Sequence, residues 1–363
     1  MPSVQTQIEF ISYIQRLVVE GEFTATYKFA MLHALADICV ESEQLDEYEQ
    51  LIIPFEKLID KLLQLYWDHA APFSVSQNES FVLVQNSMKQ IKFISEIEKL
   101  KRNGITTFSK FKQSLEYPKV IKRLKPALKE GPLERLQKLA NVEECFLYPH
   151  RFSSASAKGQ VITLNVGIAF CFRRFYDLVV HIARNEWIKK IQSYKPNQIV
   201  LGKMSSLENF LFSNERRNLA LASTVFFELQ KGKCFYCKKP ISNQDTAQVD
   251  HFIPFARYPN DTAHNFVLAH ASCNNSKNDY LASFVHRDNW YEQNIGKYER
   301  EIEVSLGNEF IANSELSLAV CNWAYQQASQ TGAKYWLARG EFDHDMPTQP
   351  SKMVAETKGT YRF

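Results

Sequence analysis

The sequence predicts a mainly α protein of the α+β class, with a helical N-terminal domain, a small zinc-stabilised module and a helical C-terminal extension. Three observations support this prediction. Apolar residues recur every three or four positions through most of the first hundred residues, as they do on one face of a helix. Cysteine and histidine pairs at 234/237 and 270/273 have the spacing of zinc ligands. A further helical pattern, rich in aromatic residues, follows at about 316–335.

The N-terminal pattern predicts four helices, over residues 8–23, 25–41, 48–70 and 81–104. Asp46, with Glu49 three residues later, is predicted to cap the third of them as in a capping box. Gly104 is a typical helix stop and is predicted to end the fourth.

In the middle of the chain, two β-prone runs at 142–149 and 159–166 flank a polar loop and predict a hairpin. A long helix over 166–192, a linker over 195–208 and a helix over 216–230 are expected next, followed by one helix after Asn278 and an aromatic one near the end. We therefore expect a helical domain at 1–205, a metal-binding module at 206–295 and a C-terminal extension at 296–363.

At 363 residues the chain is longer than one typical domain. No apolar run is long enough to span a membrane, and the longest one is interrupted by Arg173, Arg174 and Asp177. Free thiols without a secretory signal predict a cytoplasmic protein with no membrane partner.

The charges are unevenly distributed along the chain. Residues 1–88 contain four Lys/Arg and thirteen Asp/Glu, whereas residues 89–138 contain fourteen and five. The basic stretch is a candidate DNA-binding surface, because phosphate contacts supply most of the affinity for a duplex. Its candidate contact residues are Lys101, Arg102, Lys122 and Arg123. The alternatives are a solvated helical face or an internal contact with the acidic segment.

Two short-spaced pairs, Cys234/Cys237 and His270/Cys273, have the donor types and spacing of a structural Zn²⁺ site. The chain has seven cysteines, an odd number, and lacks the strand–CxxC–helix context of a redox motif, so a disulfide or thioredoxin-like function is disfavoured. The other thiols lie in apolar runs and are expected to be buried: Cys39, Cys145, Cys171 and Cys321.

Polar residues between and beside these pairs have the chemistry needed to hydrolyse a phosphodiester. Asp250 offers a carboxylate oxygen and Asn274 an amide oxygen, which suit a hard cation such as Mg²⁺. His251 follows Asp250 directly, and an imidazole is well suited to take a proton from water. Adjacent strand residues point to opposite faces, so both serve one site only if the hairpin bends or the phosphate lies across its edge.

The segment from Cys234 to Asn278 resembles the HNH, or ββα-metal, nuclease family. That family's motif is roughly C-x-x-C…D-H-x-x-P…N-[FL]…C-x-x-C-N-x-x-K, and the resemblance covers about residues 210–295. His270 stands where the family more often has Cys, and Asn274 stands where the last letter of the family name would place His.

The resemblance implies a role for each matching residue. His251 is expected to be the general base, Asp250 and Asn274 to bind catalytic Mg²⁺ or Mn²⁺, and Asn265 to brace the loop that holds the base. Lys277 is expected to face the phosphate, with Arg257 a weaker phosphate contact. The turn at Pro259–Asp261, His264 and His286 are given no chemical role.

A metal-dependent HNH endonuclease that nicks double-stranded DNA is the function this resemblance implies. A second, shorter resemblance, at 30–37 and 65–67, is to bacterial HNH proteins with a helical N-terminal half, including the HNH component of Zorya-type anti-phage defence. It implies an antiviral role with defence-system partner proteins. Two alternatives stay open: a zinc-stabilised nucleic-acid-binding module without catalysis, and an RNA-directed nuclease toxin.

Overall fold

The computed structural model describes residues 2–21, 24–43, 49–76, 79–87, 89–140, 142–150, 160–201, 207–212, 219–242 and 246–343. The chain divides into two compact units, residues 1–215 (unit 1) and 216–363 (unit 2). Among the described residues, no helix combines the length and the apolar character that crossing a membrane requires.

Unit 1 is mainly helical. Its described helices are α1 (Val4–Val19), α2 (Tyr27–Val40), α3 (Phe55–Tyr66), α4 (Lys92–Arg102), α5 (Phe108–Gln113), α6 (Tyr117–Leu128), α7 (Ile168–Arg174), α8 (Tyr176–Ser193), α9 (Lys195–Leu201) and α10 (Leu207–Phe212). Three antiparallel strand pairs accompany them: β1 (Ile52–Pro54) with β6 (Val161–Thr163), β2 (Phe73–Ser76) with β3 (Glu79–Phe81), and β4 (Lys138–Leu139) with β5 (Val142–Glu143).

Helix α2 forms the centre of unit 1. All its residues from Lys28 to Val40 are buried, and it packs against α3, α7 and α8. A helix that is apolar on every side is stable only inside a core. One of its polar residues, Asp37, is held within that core: it accepts a hydrogen bond from the Tyr176 hydroxyl at 2.7 Å, and its other oxygen lies 3.7 Å from the Lys61 amine.

The first two predicted helices are confirmed, but the third begins later than predicted. Residues 52–54 form strand β1, and α3 starts at Phe55 after Pro54. The predicted cap Asp46 lies outside the described residues. The fourth predicted helix is confirmed only over Lys92–Arg102, and Gly104 follows it with a φ of +86°, as expected of a helix stop.

The predicted hairpin at 142–166 is wrong. Val161–Thr163 pairs with Ile52–Pro54, and Val142–Glu143 pairs with Lys138–Leu139, so each run has a partner outside the predicted hairpin. The long helix predicted over 166–192 is divided in two at Phe175. The predicted linker contains helix α9.

Unit 2 contains α11 (Ala220–Leu229), β7 (Ala247–His251), β8 (Phe266–His270), α12 (Ala271–Lys277), α13 (Phe284–Trp290), α14 (Glu299–Leu306), α15 (Ser314–Gln330), β9 (Tyr335–Ala338) and β10 (Glu341–Asp343). Helices α11, α13 and α15 confirm the predicted helices in this region, with shorter bounds. The final β9–β10 pair was not predicted; it begins at Tyr335, where the predicted aromatic helix was expected to end.

Aromatic packing fixes the centre of unit 2. Phe252, just after β7, stacks on Trp290 of α13 with ring centroids 5.1 Å apart. The Trp290 indole donates a hydrogen bond to the His264 carbonyl at 2.8 Å. The segment that leaves β7 is therefore held against α13, and the strand carrying Asp250 and His251 is held in place at its end.

Candidate metal centre and active site

Strands β7 and β8 form an antiparallel hairpin in which Ala247 pairs with His270 and His251 pairs with Phe266. Helix α12 begins at Ala271, directly after β8. Gln230, at the end of α11, holds β8 from outside: its side chain accepts from the Leu268 N–H at 2.9 Å and donates to the Leu268 carbonyl at 2.8 Å. The result is a ββα unit braced by the preceding helix.

The four predicted zinc ligands meet at one point. The ligand atoms of Cys234, Cys237, His270 and Cys273 all lie within 4.8 Å of one another. The sulfur of Cys237 is 3.3 Å from Nδ1 of His270. Ligand bonds of about 2.3 Å in a tetrahedron place the ligand atoms about 4 Å apart, so this donor set fits Zn²⁺.

Contacts around the four residues support a metal site. Nε2 of His270 lies 3.1 Å from the Pro240 carbonyl, a bond that fixes the tautomer and leaves Nδ1 free to bind metal. Burial and the neighbouring Cys234 and Cys237 raise the pKa of the Cys273 thiol to about 12. Three crowded sulfurs cannot all ionise without a cation, and a bound metal supplies that charge.

Asp250 is held by two buried groups. Its Oδ2 accepts a hydrogen bond from the Tyr236 hydroxyl at 2.5 Å and lies 3.0 Å from the Lys277 amine. Burial and the Asp250 carboxylate hold the pKa of Tyr236 well above its ordinary value, so the hydroxyl stays protonated and donates. The Lys277 side chain is fully buried and also donates to the His251 carbonyl at 3.0 Å.

Asn274 lies on the same side of β7 as Asp250. Its Nδ2 donates to Oε1 of Gln248 at 2.9 Å, and residues 248 and 250 of a strand share a face. Within the described part of the chain, Oδ1 of Asp250 and Oδ1 of Asn274 accept no hydrogen bond. One carboxylate oxygen and one amide oxygen are the sparse oxygen set that Mg²⁺ or Mn²⁺ accepts, with water and phosphate completing the shell.

His251 is oriented by an acidic partner. Its Nε2 lies 2.8 Å from Oδ1 of Asp261, and its side chain is 16% exposed. When the carboxylate accepts the Nε2 proton, Nδ1 carries the lone pair and can take a proton from water. The ring also contacts Phe255 and Phe266, with centroids 5.3 and 5.1 Å away. These contacts limit its rotation.

Asn265 bridges the segment after β7. Its Oδ1 accepts from the Ile253 N–H at 2.8 Å and its Nδ2 donates to the Ile253 carbonyl at 2.9 Å. Its own carbonyl accepts from the Phe252 N–H at 2.7 Å. The side chain therefore acts on the loop beside His251.

Two expectations for this region differ from the geometry. Lys277 was expected to face the phosphate, but its amine is buried against Asp250, where it neutralises a carboxylate that has little solvent. Asp261 was given no chemistry, yet it is the hydrogen-bond partner of His251. Tyr236, hidden inside the CxxC pair, was also missed. No local spacing marks either residue, because the fold alone brings them to the site.

Arg257 and two histidines are the remaining polar residues that the sequence analysis considered in this region. Arg257 is half-buried, with Nε 3.4 Å from the Asp279 carbonyl. His264 and His286 are buried and hydrogen-bond to the carbonyls of Glu299 and Leu337, which agrees with giving them no chemical role.

Several cations of the predicted basic stretch already have partners within unit 1. The Lys101 amine contacts the Trp67 carbonyl at 2.7 Å, and Arg123 pairs with Glu96 at 2.9 Å. Arg102 and Lys122 are exposed. Lys112 pairs with Asp60, so the stretch does contact the acidic segment as well.

Comparison with family models gives two matches. Residues 7–208 match the model described as a domain of unknown function, DUF8808, and residues 234–283 match the model described as HNH endonuclease. The second match includes the four metal ligands, Asp250 and His251, and it supports an HNH nuclease domain, a hydrolase that acts on nucleic acid. The searches of curated proteins and of solved structures gave no match.

The DUF8808 match covers more than half of the 363 residues and lies within unit 1. The chain therefore belongs to the family defined by the DUF8808 domain.

Proposed function

We propose that the protein is a metal-dependent endonuclease that hydrolyses DNA phosphodiester bonds, one strand at each visit. The observation that supports this most strongly is the pair formed by His251 and Asp261, 2.8 Å apart. His251 lies on β7, the strand that also carries Asp250. A binding module has no use for an oriented, partly exposed base beside a carboxylate with a free oxygen.

In the proposed reaction, Nδ1 of His251 takes a proton from a water molecule. The water oxygen forms a bond to phosphorus while the bond from phosphorus to the leaving sugar oxygen breaks. Asp261 keeps the imidazole in the required tautomer and stabilises the imidazolium that forms. Asn265 holds the backbone of the adjoining segment, so the base keeps its position during the reaction.

Asp250 and Asn274 are the proposed ligands of a catalytic Mg²⁺ or Mn²⁺. When bound, this ion supplies charge stabilisation for the phosphate and the leaving oxygen. Lys277 and Tyr236 hold one oxygen of Asp250, which leaves the other oxygen for the ion. We assign Zn²⁺ a structural role at Cys234, Cys237, His270 and Cys273, because four protein ligands leave no open position for catalysis.

We further propose that unit 1 supplies much of the grip on DNA. Residues 231–290 carry seven basic and five acidic residues and are almost neutral. In unit 1, by contrast, Lys122 and Lys125 of α6 and Lys129 directly after it follow one another at helical spacing, and the first and last are exposed. Within the described residues, none of the three forms an ion pair. Ammonium groups without an ion-pair partner are available to phosphates, whereas the Arg123 guanidinium is already paired with Glu96.

A plasmid assay tests the proposed chemistry. Supercoiled DNA with the zinc-loaded protein and Mg²⁺ should become open circles, and His251→Ala should abolish this. His181→Ala is a matched control, because His181 is exposed on α8 of unit 1 and should leave nicking unchanged. Equal nicking by wild type and His251→Ala would refute the assignment.

Two further experiments separate the alternatives. A gel shift that persists without cleavage in Mg²⁺ and in Mn²⁺ would favour a binding module. Faster digestion of RNA than of DNA, in parallel reactions, would favour the RNA-directed toxin. We also propose a cytoplasmic role in antiviral defence with partner proteins, supported by the short resemblance at 30–37 and 65–67.

A further inference from the structure

A second group of potential metal ligands lies in unit 1, outside the HNH domain. The ligand atoms of Glu143, Cys145 and His150 all lie within 4.8 Å of one another. Glu143 ends strand β5, and the other two follow within seven residues. Cys145 was predicted to be a buried core thiol, and that prediction is wrong because its side chain is exposed.

The loop that carries these residues is firmly fixed. The side chain of Gln137 is fully buried; its Oε1 accepts from the Leu147 N–H at 2.7 Å and its Nε2 donates to the Tyr148 carbonyl at 2.8 Å. Nδ2 of Asn165 donates to the carbonyls of Cys145 and Phe146 at 2.9 and 2.8 Å. The ligand side chains are therefore presented by a backbone that is already ordered.

Leu147 and Tyr148 strengthen this arrangement, since both are buried and lie between Cys145 and His150. The Tyr148 hydroxyl donates to the Leu133 carbonyl at 3.0 Å. Two buried anchors between two ligands hold the chain in a tight loop, so Cys145 and His150 remain on one side of it.

We propose that Glu143, Cys145 and His150 form a second zinc site, in the DUF8808 domain. Thiolate, imidazole and carboxylate together favour a borderline ion such as Zn²⁺ over the hard cations Mg²⁺ and Ca²⁺. Three protein ligands, two of them exposed, leave the fourth position open to water, the arrangement of reactive rather than closed zinc sites. Binding deprotonates the Cys145 thiol and releases that proton to solvent.

The contact between His150 Nδ1 and Glu143 Oε1 could by itself be a simple ion pair. The ion pair gives no role to the Cys145 sulfur, which lies within the same 4.8 Å group. Substitution of Cys145 therefore separates the two interpretations, because an ion pair survives it and a metal site does not.

Loading of this site has a defined structural consequence. Glu144, between two of the ligands, accepts hydrogen bonds from both terminal nitrogens of Arg16 on α1, at 2.9 and 2.7 Å. The Tyr13 hydroxyl of α1 donates to the Glu144 carbonyl at 2.8 Å. A metal that orders residues 143–150 would therefore also slow the opening of α1, which hydrogen exchange can measure.

The test is zinc stoichiometry of the full-length chain after equilibration with a zinc buffer of low micromolar free ion. We expect two zinc ions per chain for wild type, one for Cys145→Ser and one for Cys237→Ser, since each removes a different group. His150→Gln should lower the affinity for the second ion at least about 100-fold. Loss of a residue that only hydrogen-bonds to a metal ligand already lowers metal affinity by up to about 100-fold, and loss of a ligand should cost at least as much. Glu130→Gln, an exposed carboxylate of unit 1, should keep both ions.

Cobalt substitution identifies the site that is lost. Of four sulfurs in the two groups, Cys145→Ser removes one, so thiolate-to-cobalt absorption should fall by about a quarter. In wild type but not in Cys145→Ser, the second ion should slow amide exchange in α1.

One zinc ion per wild-type chain would overturn the proposal, as would a second ion that Cys145→Ser retains. Because Cys145 is exposed, Cys145→Ser keeps the core of unit 1 intact, and unchanged amide exchange in buried helix α2 of the zinc-free protein would report that unit 1 is folded.

Discussion

Replacing Lys277 with methionine tests whether its buried ammonium is the counter-ion of Asp250. The Lys277 side chain is fully buried, and its amine lies 3.0 Å from Oδ2 of Asp250, whose side chain is 9% exposed. Methionine nearly matches the length of lysine and removes the charge. The variant therefore leaves a carboxylate in the interior without its cation.

Breaking a buried ion pair on one side costs about 3–5 kcal/mol. We expect the lower end, about 3 kcal/mol of unfolding free energy, because Asp250 keeps the hydrogen bond from Tyr236 and retains some solvent contact. A divalent cation bound to the free oxygen of Asp250 would restore part of this. At a hundred times its dissociation constant, it stabilises the folded state by about 2.7 kcal/mol.

The assay is hydrogen exchange of β7 and α12 in the zinc-loaded protein, with and without Mg²⁺. Mg²⁺ should stabilise Lys277→Met more than wild type, because the ammonium no longer repels the ion. Lys334→Met, an exposed lysine of unit 2, should change stability by less than about 0.5 kcal/mol. A loss below about 1 kcal/mol in Lys277→Met would refute the counter-ion argument, and equal stabilisation of both proteins by Mg²⁺ would refute metal binding at Asp250.

Three further predictions follow from the geometry. Asp261→Asn should lower the nicking rate at least about 100-fold, because the amide no longer enforces the tautomer of His251 that accepts a proton at Nδ1; single-turnover nicking measures this. Cys237→Ser should unfold the β7–β8 hairpin, since the metal links its two ends, and circular dichroism with protease digestion would detect the loss. Burial lowers the pKa of His69 from its ordinary value of 6.5 to about 3. Between these two values the unfolded chain binds a proton at His69 and the folded chain does not. Through His69, unit 1 should therefore lose about 2 kcal/mol between pH 6.5 and 5, and His69→Gln should remove that part of the acid dependence. Burial also holds the pKa of His33 well below its ordinary value, so the part due to His33 should remain.

Each of these three predictions can be contradicted by a specific result, and the third also has a control variant. A normal rate in Asp261→Asn would show that the 2.8 Å contact with His251 does not orient the base. A protease-resistant hairpin in Cys237→Ser would show that packing suffices without metal. His181→Gln should keep the full acid dependence of unit 1, because His181 is exposed in the folded protein; an unchanged acid dependence in His69→Gln would assign the titration to another group.

The site was predictable where its chemistry is local in sequence. Cys234 and Cys237 are three residues apart, as are His270 and Cys273, so their spacing alone indicated one ion. Asp261 is ten residues from His251, in a Pro-Asn-Asp segment where an aspartate is commonly a turn former. Its role depends on where the loop folds back, and that was invisible before the structure.

The same reasoning explains the misjudged strands. Ile52–Pro54 lies in an apolar run that continues into α3, so its period could not separate strand from helix. Its partner, Val161–Thr163, is more than a hundred residues away, and a pairing of that range leaves no local signal. Helix α2, by contrast, was predicted correctly from its apolar residues at three- and four-residue steps, although the structure buries it on every side.

The arrangement around Asp250 bears on how the proposed nuclease is controlled. Lys277 and Tyr236 both occupy Oδ2, which leaves one carboxylate oxygen and the amide oxygen of Asn274 for a cation. Two protein oxygens, one beside an ammonium, bind Mg²⁺ weakly, because the ion gives up its water reluctantly. A phosphate oxygen adds a ligand and a negative charge, so metal and DNA should bind with positive coupling. The site would then assemble fully only on substrate, and Lys277→Met should weaken that coupling by letting metal bind first.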